Sequence, residues 1–469
     1  MNPKFKPIKT VIVTLATAIM TNHAAHAGGS SLYTESSAAA IGNYAAGIAA
    51  EAADASIGWY NPAGLVLIDK PEAVFSGVGV FPSAKLTGTS TFETQGFSPY
   101  IQKFSGLQGA ESALVPAFHY AKPLGDRAAF GFSVVSPFGL ATDWGTASPV
   151  RYSATRSELL MLNVSPELGG KITDNLSMGL GLDMQWARVT FNSVLGSPAA
   201  LQYLESVGRL VTPTTLDSTT NNQGYSFGLG FHAGVMGMFD NNHTRVGLNY
   251  QSGIKHRFEG KSVLTGRLAD PERTNPNAVF RGDNLMSNNV QLPDVVTLSG
   301  YQDVNDQWAL LGSIVYTGWA SFETIQLNNV AAFSTESGMQ EFVNSTTNED
   351  YRNVWRFAMG ANYHVNQQWM MRVGGGIDQT PTVDTERDVR LPDVNHWALS
   401  IGSHYQFRPN VGVDVGYTYL FANGNSTINK TQMLGTTSSN LVNAVAKSNA
   451  QFFGLQVVWD IDKPVVVGK

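Results

Sequence analysis

The stretch Leu176-Ser177-Met178-Gly179-Leu180-Gly181-Leu182-Asp183-Met184-Gln185-Trp186 carries an apolar side chain at every even position and a small or polar one at every odd position. Successive side chains of an extended chain point to opposite faces, so this segment reads as a strand with one apolar and one polar side. The pattern returns in Trp355, Phe357, Met359, Ala361, Tyr363 and Val365, alternating with Arg356, Ala358, Gly360, Asn362 and His364. It returns again in Trp397, Leu399, Ile401, Tyr405 and Phe407, and in Val411, Val413, Val415, Tyr417, Tyr419 and Phe421. A soluble all-β protein would carry Lys, Glu and Thr on its outward faces. Here one face is Trp, Phe, Leu and Val, and the other is Gly, Ser, Asn, Asp and His. That division suits a strand that crosses a bilayer.

Candidate strands fall near 72–85, 113–123, 127–137, 157–171, 176–190, 223–238, 243–258, 290–302, 307–321, 352–364, 368–378, 395–406, 411–423 and 450–461. Short turns such as Leu124-Gly125-Asp126, Thr173-Asp174-Asn175 and Arg408-Pro409-Asn410 alternate with long polar connections at 86–112, 191–222, 259–289 and 322–351. This rhythm puts every tight turn at one end and every long loop at the other, the asymmetry of an outer-membrane barrel. The expected fold is an all-β membrane protein, a 14-stranded antiparallel transmembrane β-barrel, and an even count lets both ends lie on one side of the membrane.

Bulk composition agrees. Charged residues are 14% of the 469, aromatics 10%, and there are 47 glycines. Mean hydropathy is near zero, too low for a bundle of apolar helices. A net charge of −6 gives no reason to expect nucleic acid as a partner. The absence of cysteine excludes disulfides, thiolate metal sites and a Cys nucleophile. No Gly-x-Ser-x-Gly elbow, Walker loop or His-Glu-x-x-His occurs and the nine His are scattered, so neither enzyme chemistry, a metal nor a cofactor is expected.

At the N-terminus, Lys4, Lys6 and Lys9 precede an apolar run from Val11 to Met20 and the small-x-small site Ala25-His26-Ala27. Residues 1–27 therefore read as a signal peptide, with mature protein from Gly28. Residues 28–71 are rich in Ala, Ser and Gly and lack alternation, which suits short helices packed tightly against something larger. The barrel occupies 72–461, and 462–469 form a tail. The implied location is the bacterial outer membrane.

Trp59-Tyr60-Asn61-Pro62-Ala63-Gly64-Leu65 resembles the outer-membrane family of long-chain fatty-acid and aromatic-hydrocarbon transporters. So do, in order, Ser136-Pro137-Phe138-Gly139-Leu140-Ala141-Thr142, Arg245-Val246-Gly247-Leu248-Asn249-Tyr250, Leu292-Pro293-Asp294, Tyr316-Thr317-Gly318-Trp319, Leu391-Pro392-Asp393 and Gly416-Tyr417-Thr418-Tyr419. The resemblance covers nearly the whole mature chain. It implies a monomeric barrel plugged by a small N-terminal helical hatch. Hydrophobic substrate would be captured at external loops and leave sideways through a kinked third strand, with the Asn61-Pro62-Ala63 turn beside that kink. Family barrels commonly finish close to an aromatic, whereas here Trp459 is followed by ten further residues.

Candidate site residues follow. Asn61, Pro62 and Ala63 form a turn by their own chemistry, and a gate element by resemblance. Gly131, Pro137 and Gly139 lie in or just past the third strand, where Pro137 either ends the strand or opens a seam. Arg151, Arg156, Lys255, Arg257 and Arg372 are cations that could hold a carboxylate. Lys255 and Arg257 share parity with Arg245, Asn249 and Gln251, which predicts that they point inward near the outer rim. Arg188 falls on the apolar parity and is expected to reach lipopolysaccharide phosphates. Leu201 and Leu204 begin a helical stripe with Val207 and Leu210, which either packs on its neighbours or forms a capture surface. Inward Gly and Ala are expected to leave room for a ligand. The expected partners are thus a hydrophobic small molecule, outer-membrane lipid and lipopolysaccharide, and the expected function is uptake of that molecule. The alternative is an adhesin or receptor barrel whose loops bind a partner.

Overall fold

The computed structural model describes residues 31–461; the expected signal peptide and the tail at 462–469 lie outside the described residues. Fourteen wall strands follow one another around a ring: β1 (Glu72–Thr94), β2 (Ala113–Pro123), β3 (Ala128–Val135), β4 (Arg156–Thr173), β5 (Leu176–Leu195), β6 (Ser218–Phe239) and β7 (Thr244–Gln251). They continue as β8 (Val295–Asp303), β9 (Trp308–Thr317), β10 (Val354–His364), β11 (Trp369–Asp378), β12 (His396–Arg408), β13 (Val411–Ala422) and β14 (Ser438–Asp460). Each pairs antiparallel with the next. β14 returns to β1 from Glu72↔Asp460 to Thr94↔Ser438, which closes the barrel. Every strand of the ring thus pairs with a neighbour on each side.

The apolar parity faces outward. Leu180 is 58% and Leu182 48% exposed, whereas Ser177, Asp183 and Gln185 between them are buried. Aromatic pairs mark two levels of the wall: Trp308 with Tyr363, rings 4.6 Å apart, and Tyr316 with Trp355, 5.0 Å apart. Eight residues of β9 separate those levels, roughly 20 Å of height after strand tilt, close to the apolar band of an outer membrane.

The long connections hold more structure than their polarity suggested. Seven further strands lie in them: Tyr100–Gln108, Gly139–Asp143, Lys255–Thr265, Val279–Gln291, Thr324–Phe333, Gln340–Asn348 and Ser426–Leu434. Most prolong the wall beyond the membrane, as Tyr100–Gln108 does along the outer half of β1. Residues 86–94 and 438–449 therefore belong to β1 and β14 instead of to loops.

The inward face is built to receive the N-terminal segment. Short polar side chains of the wall bond to its backbone: Ser76 Oγ to the Ala38 N–H at 2.9 Å, Ser313 Oγ to the Gly47 N–H at 2.9 Å, and Ser299 Oγ to the Ala49 N–H at 3.1 Å. Thr418 donates to the Ile41 carbonyl at 2.7 Å and Ser177 to that of Ala63 at 2.8 Å. Irregular backbone at this depth is stable because the wall, not water, satisfies it. Glycines make the approach possible, since a Cβ on Gly374 would strike Asn43 and one on Gly179 would strike Pro62. The room expected for a ligand at these inward positions is thus occupied by the chain's own backbone.

Candidate functional site

β2 pairs with β1 up to Ala113↔Val80, but with β3 only from Pro123↔Ala129 to Phe118↔Val134. Beyond that pair the edge at Ala113–Ala117 has no ladder partner on the β3 side among the described residues; contact returns at the isolated bridge Ala110↔Thr142. On its other side the third strand follows β4 to Val135↔Asn163, then resumes at Gly139↔Leu160. Four steps along one strand against three along the other leave one extra residue, a bulge at Ser136-Pro137-Phe138. Pro137 lies two residues past the end of β3, at an interruption after which pairing to β4 continues.

The N-terminal segment fills this interruption. Pro137 has no N–H to leave orphaned, and its carbonyl accepts the Leu32 N–H at 2.9 Å. Ser31 bridges to Phe138. The Phe138 ring turns inside onto Trp319, 5.6 Å away edge to face, and Trp319 in turn meets Phe322 and Tyr351. A small cavity of about 30 Å³ adjoins the break, lined by Leu32, Trp59, Pro137, Phe138, Ile254 and Leu292 with Asn163, Asp183 and Gln185 as its polar wall. That is room for roughly two waters, so a larger guest needs the lining to move.

Asn61 is fully buried. Its side-chain oxygen accepts the Ala63 N–H at 3.1 Å, and its amide donates to the carbonyls of Ala49 at 2.7 Å and Val235 at 3.2 Å. It thereby caps the 3-10 helix Pro62–Leu67 and ties it to β6. Pro62 lies against Gly169 and Gly179, and Leu65 against Gly131. The Asn61-Pro62-Ala63 turn thus meets β4, β5 and β6, and the helix after it touches the third strand through Leu65 at Gly131. Ser31 and Leu32, which the sequence did not single out, reach the break itself.

The candidate cations are dispersed. Arg151 is buried and saturated: it bonds Asp217 at 2.9 Å, Gln102 at 2.8 Å, the Ser148 carbonyl at 2.9 Å and the Tyr152 hydroxyl at 2.8 Å. Burial pushes the Asp217 carboxyl up, against the pull of Arg151. Arg156 is ringed by Glu158 at 2.7 Å, Glu111 at 3.1 Å and Asp143 at 3.2 Å. Arg372 pairs with Asp414. Arg188 pairs with Glu158 instead of pointing free to the lipid surface.

Lys255 and Arg257 correct the expectation of an inward orientation. Both are exposed, while Ile254, His256 and Phe258 are buried. β7 ends at Gln251 and a new strand starts at Lys255; the break at Ser252-Gly253-Ile254 reverses the parity. A cation of the polar parity outside the five candidates is more central: Arg356 lies 3.9 Å over the Tyr44 ring and 5.8 Å from that of Tyr33. Nearby, burial pushes the Glu35 carboxyl up to about 7, and Arg356 draws it partly back.

The stripe at 197–211 forms the helix Pro198–Ser206. Leu201 is buried and Leu204 half-buried, whereas Val207 and Leu210 are exposed. Packing accounts for the first pair and leaves the second pair on the external surface beside Tyr203, whose ring meets Phe97 at 5.8 Å.

A family model described as outer membrane protein transport protein (OMPP1/FadL/TodX) matches residues 18–460. The long-chain fatty acid transport protein of Escherichia coli K12 is 28% identical over 402 residues, 82% of this chain and 86% of that protein. Outer membrane protein P1 of Haemophilus influenzae Rd is 27% identical over 412 residues, 82% of this chain and 84% of that one. The crystal structure of a Pseudomonas aeruginosa FadL homologue superposes with a TM-score of 0.76 at 23% identity, covering 94% of this chain and 100% of the other. The Pseudomonas putida toluene transporter TodX gives a TM-score of 0.63 at 14% identity, over 94% and 100% of the two chains. These two structures share the fold.

Proposed function

The chain belongs to the outer membrane protein transport protein family (OMPP1/FadL/TodX), and from that membership we propose a channel for uptake of hydrophobic small molecules, released sideways through the third-strand break. The observation that carries the lateral route is the run of β2 edge without a ladder partner, opposite a bulge that the N-terminal segment seals. A hydrophobic guest gains about 0.8 kcal/mol per methylene on leaving water. A path from an apolar pocket directly into the bilayer is downhill without a coupled energy source, while an aqueous lumen offers no such gain. The N-terminal segment acts as the hatch, and Asn61 holds its turn. External capture falls to the exposed stripe Tyr203, Val207 and Leu210. The closed ring works as a monomer in outer-membrane lipid, with lipopolysaccharide around its external rim.

The cations bear on the substrate. Arg151, Arg156 and Arg372 are already committed to carboxylates of the protein, and Lys255 and Arg257 face out, so none of the five serves as a ready head-group site in this closed state. Uptake of a radiolabelled fatty acid and a radiolabelled monoaromatic hydrocarbon by cells carrying or lacking the protein tests the reading. Protein-dependent accumulation of either supports it and names the class. No difference for either would favour the adhesin or receptor reading.

A further inference from the structure

His232 of β6 is buried where the fourth, fifth and sixth strands meet the N-terminal segment. Its Nδ1 lies 3.0 and 3.1 Å from the two oxygens of Asp183, and its Nε2 lies 3.2 Å from the Gly58 carbonyl. Asp183 also accepts the Asn163 amide at 3.0 Å and the Ser165 hydroxyl at 2.6 Å, so it is the ionised acceptor of three donors. A carbonyl can only accept. Both ring nitrogens therefore face acceptors, and with Asp183 ionised each needs its own N–H, which makes the ring the doubly protonated imidazolium.

The neighbours of the ring are few. Asp183 faces it from β5, and Glu167 from β4, with Oε1 3.8 Å from Nε2. The Glu167 carboxyl also fills the space beside Gly58 and beside Gly131 of the third strand. Gln251 of β7, opposite His232 in the ladder, is neutral and donates to the Trp59 carbonyl at 3.1 Å. His119 of β2 stands behind Ser133, bonded to that hydroxyl at 2.9 Å and to the Ser36 carbonyl at 2.8 Å. The Trp59 ring lies 5.4 Å from the imidazole and lines the cavity at the break.

We propose that the Asp183–His232 pair is a protonic latch, in which the imidazolium holds the Gly58 carbonyl and so keeps the hatch, with Trp59, closed against the third-strand break. This rests on the hatch-gated reading above. Loss of one proton leaves a single N–H for two acceptors; it stays with the charged Asp183 carboxylate, the stronger acceptor, and the Gly58 bond goes. The latch is complete at lower pH and is lost as pH rises through the titration of His232. Its two residues position the hatch and need not touch substrate.

The chain lacks cysteine, so one introduced thiol reports opening without background. Ser56→Cys places it in the buried hatch and Ser337→Cys on an exposed loop. Thiol labelling of the full-length barrel is measured against pH, with the Ser56 rate divided by the Ser337 rate to remove thiol ionisation. The ratio should rise by up to about tenfold per pH unit, as one-proton linkage requires. With His232→Gln it should be high and flat, and with Asp183→Asn the rise should move to lower pH, since the imidazolium has lost its counter-charge. A flat ratio in the parent overturns the latch, as does a His232→Gln protein that keeps the parent's slope. If His232→Gln fails to fold, judged by heat-modifiable migration, the Asp183→Asn midpoint decides: an unmoved midpoint overturns the latch. Uptake measured over the same pH range separates the two readings. Labelling that opens while uptake stays constant leaves the latch standing and removes the hatch from the transport route.

Discussion

Between β5 and β6 the ladder runs from Leu176↔Gly237 to Leu195↔Ser218 without one register shift. Between β2 and β3 it runs from Pro123↔Ala129 to Phe118↔Val134 and stops. Both seams lie in one closed wall with the same outward parity, so membrane-facing chemistry does not separate them. The difference lies in what satisfies the backbone. In the long seam each strand answers the other. In the short one the third strand bulges at a proline without an N–H, and the incoming Leu32 donates to that proline's carbonyl. A barrel can thus carry a seam where its own ladder stops, provided a separate piece of chain meets the break.

Five substitutions probe this contrast, in order of expected effect. Phe138→Ala removes the ring that pins the bulge onto Trp319 and should destabilise the folded barrel by about 3–5 kcal/mol, the cost of emptying an aromatic site; urea unfolding in liposomes reads it. A loss below about 1 kcal/mol would mean that the bulge stands without its anchor.

On the long seam, Leu180→Arg exposes a charge to lipid and should cost roughly 2–4 kcal/mol near the midplane. Its inward neighbour is no tolerant control, because a side chain at Gly181 would run into the His232 ring; Gly181→Ser should cost about 1–3 kcal/mol by overpacking. Tolerance of both in the same assay would refute the assigned faces.

Asn61→Ala loses the cap on Ala63 and strands the buried Ala49 carbonyl, an expected loss of about 1–3 kcal/mol. Faster proteolysis of the N-terminal segment in the folded barrel should report it. Gly300→Ala is the quiet control. A Cβ there meets nothing within 4 Å, so unfolding should shift by no more than about 0.5 kcal/mol.

Period-2 alternation made the wall readable because each strand repeats a two-sided environment for ten or more residues. It failed where the repeat is interrupted. Lys255 and Arg257 were assigned inward by carrying the parity of Arg245 through Ser252-Gly253-Ile254; the Ser-Gly pair was a turn signal that could have stopped the extrapolation. The bulge at Ser136-Pro137-Phe138 was visible only as an ambiguity, since counting the extra residue requires the partner strand. Arg151 looked available because its acceptors, Gln102 and Asp217, are remote in sequence. His232 and Asp183 lie 49 positions apart and gain meaning only through the β5–β6 register and the carbonyl of Gly58. Ser31 and Leu32 carry no motif, and their part in sealing the break emerges only from the closed fold.

The lateral seam is the central claim, and a reversible lock tests it most directly. Continuing the β2–β3 register past Phe118↔Val134 brings Ala117 opposite Val135, two buried residues of one apolar cluster. Ala117→Cys with Val135→Cys would bridge the point where the ladder stops, with no native thiol to compete. Heat-modifiable migration establishes that the locked barrel has folded before uptake is read. Hydrophobic uptake should fall to the level of cells lacking the protein when the pair is oxidised, and should return on reduction. Full uptake through a folded, verified crosslink would contradict the seam and send the substrate down the lumen instead.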